Sequence, residues 1–165
     1  MGHSILNDKD RAAVLNNLNS TGVFVTCGRK TPNVMVTHTG ALGKLWGRNV
    51  FMLPVKSGKY SYRIISESKS FALNVPVSRD MRSEIALCDS ISGFKCNKFE
   101  TLGLHPKRAK SIDAYILGEC GLIVEYNVIA AIPPKAVNTL ADGLVIDETS
   151  HTLFVGEIVD CYRLN

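Results

Sequence analysis

The sequence predicts a mainly β fold with inserted helices, an antiparallel barrel in which short helices interrupt the strands. Three observations carry this. β-branched and aromatic runs bounded by Gly and Pro recur along the chain. Helix-like spacing is confined to short stretches at residues 8–19 and 80–89 and within 57–76. Strand and helix do not alternate regularly, which disfavours a doubly wound parallel sheet.

In order, residues 8–19 place Ala12, Ala13, Val14, Leu15 and Leu18 on a short amphipathic helix, with Asp8 or Asp10 expected to open it. Residues 23–27 and 33–37 read as a hairpin whose loop holds Gly28 and Pro32. Residues 39–47, with the lone Trp46, read as a connection, and 50–55 as a third strand closed by Pro54 and a Ser57–Gly58 turn. The stretch 57–76 then reads as turn, helix and strand. Phe71, Leu73 and Val75 alternate as a half-buried strand would, and Pro76 is expected to stop the pairing. Residues 80–89 look helical, 97–101 offer one helical turn, and 104–114 read as loop. Residues 115–132 form one bent strand or a pair, broken by Pro133 and Pro134. A further strand and turn over 135–145, a turn at 147–150 and a last strand at 152–162 complete the reading.

The chain of 165 residues fits a single domain, 1–165, with 45% hydrophobic and 21% charged residues. Its net charge of +4 is scattered, and the one basic cluster, residues 105–110 (HPKRAK), is most simply a solvated loop. A basic face with interleaved aromatics is absent, so nucleic acid is not an expected partner. No apolar window suits a signal peptide or a membrane helix, and Leu6 breaks the myristoylation pattern. Five cysteines without a Cys-x-x-Cys pair suit a cytoplasmic, reducing setting, and the four histidines show no metal spacing. No metal site is expected.

Local chemistry is sparse. There is no Gly-x-Gly-x-x-Gly, Walker loop or Gly-x-Ser-x-Gly. Cys88 or Cys96 with His105 is an imaginable nucleophile pair that nothing in the spacing selects, and inert buried thiols are the default. The start of the helix near residue 60 is the one candidate seat. Ser57 and Gly58 can cap it, and Lys59, Ser61 and Arg63 crowd its first turns beside unpaired N–H groups, which suits an anion. From local pattern alone an ordinary surface helix with solvated basic residues is the favoured reading.

Four segments occur in one order: 31–37 (TPNVMVT), 60–76 (YSYRIISESKSFALNVP), 88–99 (CDSISGFKCNKF) and 151–157 (HTLFVGE). Their order and spacing, from about Val14 to Val159, resemble the flavin reductase-like family, which includes flavoredoxin, ferric reductase and the small reductase components of two-component monooxygenases. The resemblance implies a split antiparallel Greek-key β-barrel that binds FMN, usually as a homodimer. It implies that Asn33 and Met35, with Thr37 and Thr39 following, run beside the isoalloxazine. Ser61 would hold the phosphate, with Lys59 before it, and Asn74 and Pro76 would lie near the ring. Ser92 and Lys98 would face the flavin or its phosphate, and His151 would sit by the flavin and the nicotinamide as the candidate catalytic group. Thr39 stands where members often carry Trp, so a stacking wall is missing or comes from Trp46. Ser150 replaces the Asp that usually precedes the histidine. The implied activity passes reducing equivalents from NADH or NADPH through FMN to flavin, ferric complexes or another acceptor. Two alternatives stay open: a flavoredoxin-like carrier reduced by a protein partner, and a flavin-free small-ligand barrel.

Overall fold

A computed structural model describes residues 5–147 and 149–165. One seven-stranded sheet, antiparallel at every pairing, carries the architecture, in the spatial order β2-β1-β5-β8-β9-β4-β3. Its strands are β1 (Val23–Cys27), β2 (Asn33–Thr37), β3 (Ala41–Leu45), β4 (Arg48–Lys56), β5 (Ser70–Pro76), β8 (Gly121–Ile132) and β9 (His151–Arg163). A separate ribbon pairs β6 (Pro106–Arg108) with β7 (Tyr115–Leu117). The helices are α1 (Asp8–Leu18), α2 (Tyr60–Ser68), α3 (Arg82–Ser90) and α4 (Lys98–Leu102). The fold is therefore mainly β with inserted helices, and the sheet is not closed, since β2 and β3 remain its two edges.

The sheet curls around one core. Val23 and Val25 of β1, Phe51 and Leu53 of β4, Phe71 and Leu73 of β5, and Leu122 and Val124 of β8 meet there, with Ile64 and Ile65 of α2. Ser61, Ile64 and Ile65 are the buried residues of α2, so the helix turns a single stripe inward, as i, i+3, i+4 spacing requires. A second cluster lies between Phe24, Val34 and Val36 of the β1–β2 hairpin and the α3–α4 layer, through Met81, Ile85, Cys88 and Phe99. Alternation along β2 thus sends Val34 and Val36 to one cluster and leaves Asn33 and Met35 on the opposite face.

Several sequence expectations are corrected. Residues 41–45 are not a connection but strand β3. It pairs with β4 through a two-residue turn, Trp46–Gly47, whose φ values of 51° and 72° are those of a tight hairpin. Pro54 does not close β4; it pairs with Leu153, and the strand runs on to Lys56. Asn7, not Asp8 or Asp10, caps α1, its side chain accepting from the Asp10 N–H at 2.8 Å. No side chain from Ser57 or Gly58 caps α2, whose N-cap is Lys59. β5 is buried on both faces rather than half-buried, and Pro76 still pairs, with Gly121. Of the two readings for 115–132 the pair of strands is the one that forms, β7 and β8, separated by a 3-10 turn at Gly118–Cys120. No strand forms over 135–145; a 3-10 turn at Pro134–Ala136 leads into irregular chain.

Candidate functional site

The start of α2, strand β2 and the α3–α4 layer enclose a small cavity of about 100 Å³. Its walls include Asn33, Met35, Lys59, Tyr60, Ser61, Cys88, Ser92 and Lys98. Asn33 and Ser61 are both buried, and the Asn33 amide donates to the Ser61 hydroxyl at 2.9 Å. The bond fixes both groups, although 28 residues separate them in the chain. Gly93 makes this packing possible. A Cβ there would stand 2.0 Å from Asn33 Oδ1, so no other residue lets the loop between α3 and α4 approach so closely.

Lys98 is the most telling group. It is only 7% exposed, and its ammonium donates to the Cys88 carbonyl at 3.2 Å, with the Cys88 sulfur at 4.0 Å. No carboxylate forms an ion pair with it among the described residues. Asp89, which also lines the cavity, leans instead toward His38 at 3.8 Å. A buried ammonium with one carbonyl partner leaves donors unused and a charge uncompensated, which favours an anion in the cavity. Opposite it, α2 opens without a side-chain cap, its first N–H groups and the Lys59 ammonium adding positive potential. A cavity of about 100 Å³ has room for a phosphate-sized group.

The thiols here stay protonated at neutral pH. Burial pushes Cys88 up to about 11 against the pull of Lys98. Burial pushes Cys27, behind Ser61, up to about 12, while the Ser61 hydroxyl and the Lys98 charge draw it back. The Cys88 or Cys96 pairing with His105 does not form, for the His105 ring faces Glu119 at 3.1 Å.

Six of the sequence candidates therefore meet at one place: Asn33, Met35, Lys59, Ser61, Ser92 and Lys98. The rest lie elsewhere. Thr37 is buried at the end of β2, its hydroxyl donating to the Thr39 carbonyl at 2.7 Å, and Thr39 is exposed. Asn74 is fully buried and committed within the protein. Its amide donates to Thr26 Oγ1 at 2.9 Å, and its oxygen accepts from the Leu117 N–H at 2.7 Å. Pro76 ends β5 against Gly121. His151 opens β9 opposite Lys56 and lines a different hollow, with Val137, Val145 and Leu153. Trp46 stands 61% exposed at its hairpin tip, away from the cavity walls. Tyr60, Cys88 and Asp89 were not legible as cavity residues, because only the packing of α3 on β2 brings the last two there.

Comparison with known proteins places the chain among redox-fold relatives. The family model of the flavin reductase like domain matches residues 15–165, and the chain belongs to that family. Flavoredoxin of Desulfovibrio vulgaris superposes with a TM-score of 0.69 at 24% identity, covering 86% of this chain and 68% of its own. A protein described as a flavin reductase with a split barrel domain, from Shewanella frigidimarina, gives 0.68 at 15% identity, covering 97% and 75%. The NADH:FAD oxidoreductase of Streptomyces globisporus gives 0.66 at 17% identity, covering 99% and 89%. The open antiparallel sheet described above is thus a split barrel of the flavin reductase type.

Proposed function

We propose that this protein is an FMN-dependent oxidoreductase that draws reducing equivalents from NADH or NADPH and delivers them to free flavin, a ferric complex or a comparable acceptor. The observation that carries the reading is the buried Lys98 ammonium beside an anion-sized cavity at the uncapped start of α2. Family membership supplies the redox context. In this reading Lys59, Lys98 and the N–H groups of α2 hold the phosphate, Ser61 hydrogen-bonds it, and Asn33 keeps Ser61 in place. Bound FMN supplies hydride acceptance and one- or two-electron release, while the chain supplies placement and electrostatics. Five free thiols support a reducing cytoplasm as the working compartment. The working unit is a homodimer, a reading supported by Leu140, Leu144 and Val145, which stand 90%, 53% and 78% exposed on one irregular stretch; sedimentation as a monomer would remove that element alone.

Ser61→Asp tests the phosphate assignment. The new carboxylate faces the phosphate across the cavity, so FMN affinity in a fluorescence titration falls at least about 100-fold; unchanged affinity refutes the seat. An anaerobic NADH or NADPH titration of the loaded protein, followed by its visible spectrum, tests the donor. Bleaching by either nucleotide supports the reductase, whereas bound flavin that neither reduces points to a carrier fed by a protein.

A further inference from the structure

One wall residue of the anion cavity carries the wrong charge for an anion. Asp89 of α3 lines it together with Lys59 and Lys98, and follows Cys88, whose carbonyl holds the Lys98 ammonium. The Asp89 carboxylate pairs instead with His38 Nε2 at 3.8 Å, and it forms no other ion pair among the described residues. That distance is longer than a hydrogen bond, and both side chains are about half in water, so the contact is a loose one. The imidazole itself is seated. A Cβ on Gly22 would stand 2.7 Å from His38 Cε1, so the ring lies against that turn. His38 is not a wall of the cavity, and Asp89 is its link to it.

We propose that Asp89 is a tethered competitor for the anion seat, and that the charge on His38 decides which position it takes. A protonated imidazole attracts the carboxylate and keeps it from the cavity; a neutral one releases it. Released, the carboxylate turns about its side-chain bonds toward the Lys98 ammonium, whose donors are only partly used. There it cancels the charge that an incoming anion needs. Anion affinity therefore falls as pH climbs from about 5 to about 8, the span over which an imidazole gives up its proton. The other charged and titratable groups facing this pair are Lys59 and Tyr60 from α2, Lys98 from α4 and the Cys88 thiol of α3, which burial holds at about 11. By residue type, the imidazole is the one whose charge changes inside that span. This regulation rests on the phosphate seat proposed above.

Sulfate is the probe, because it keeps its full charge across that span whereas a phosphate monoester changes its own. It is titrated at constant ionic strength into flavin-free, isotope-labelled protein at about pH 5.5 and about pH 8, with the Tyr60 and Ser61 amide signals as the readout. Wild type should bind sulfate about three- to fivefold more weakly at the higher pH, the size expected of a half-exposed charge pair. Asp89→Asn should bind at the higher pH as tightly as wild type does at the lower, and should lose more than about half of the pH response. His38→Gln should be weak at both values, and His38→Lys, which keeps a charge beside Asp89, strong at both. Asp89 and His38 are half in water, so these changes leave the fold intact. A wild-type affinity that does not move with pH, or a pH response that survives whole in Asp89→Asn, overturns the proposal. Sulfate that shifts neither amide in any variant overturns the anion seat itself and this inference with it, so the two failures are told apart.

Discussion

Lys98 and Cys27 show how single groups tie stability to the site. Replacing Lys98 by Met keeps the length of the side chain and removes a buried charge that only one carbonyl satisfies. Flavin-free Lys98→Met should melt no lower than wild type, since the uncompensated ammonium costs stability. Its FMN affinity should drop about 10- to 100-fold with the lost charge-assisted hydrogen bonds. A variant that melts lower and binds as before would show Lys98 to be structural. Cys27 makes a pH prediction. Its ordinary value of 9.0 is raised by burial to about 12, so folding favours the neutral thiol. That contribution is complete below the unfolded value and is lost as pH climbs through the window up to the folded one, at about 1.4 kcal/mol per unit. Urea midpoints at about pH 8 and about pH 10.5 should therefore differ less for Cys27→Ala than for wild type.

Among the elements, α1 is the one whose attachment is most easily measured. Asn7 caps it, and the Asp10 carboxylate accepts both from the Asn7 side-chain amide at 3.0 Å and, in a 2.6 Å ion pair, from Arg163 at the end of β9. Asn7→Ala loses the cap and should cost about 1 kcal/mol in urea denaturation. The sequence points to an acidic cap here because Asp8 and Asp10 stand at the start of the run; only the fold reveals that Asp10 sits in the first turn, bonded to the capping Asn7 and to Arg163 of β9. The β1–β2 hairpin was readable to the residue, because Gly28 and Pro32 punctuate two β-branched runs. By contrast β3, Ala-Leu-Gly-Lys-Leu, has no β-branched residue and no strict alternation. It is a strand because β4 offers it an edge, and that information is tertiary.

For the whole molecule, closure of the core depends on the places where strands cross closely. Gly156 of β9 faces the stacked rings of Phe71 and Tyr126, whose centroids lie 4.9 Å apart. A Cβ at Gly156 would stand 2.7 Å from the Phe71 ring and 2.9 Å from Tyr126 Cβ. Gly156→Ala should cost about 1–3 kcal/mol through overpacking, visible as a lowered Tm with an unchanged circular dichroism spectrum in the cold. At this scale the candidate site was only partly legible. Asn33, Ser61 and Lys98 are far apart in the chain, and no local pattern joins them; the order of the motifs did. The same order attached Asn74 and His151 to the group, which the topology puts elsewhere. Asn74 serves as a clasp between β1, β5 and β7, and such a role leaves no mark in sequence.

Mechanically, the small cavity is a seam. One wall, α2, is rooted in the main core, and the other, α3–α4, in the second cluster under the hairpin. The Asn33–Ser61 bond stitches β2 to α2, while Lys98 grips only its own layer through the Cys88 carbonyl. An anion lodged between Lys59 and Lys98 would be the rivet that makes the two halves move as one body. Emptied, the chain would part first along this line.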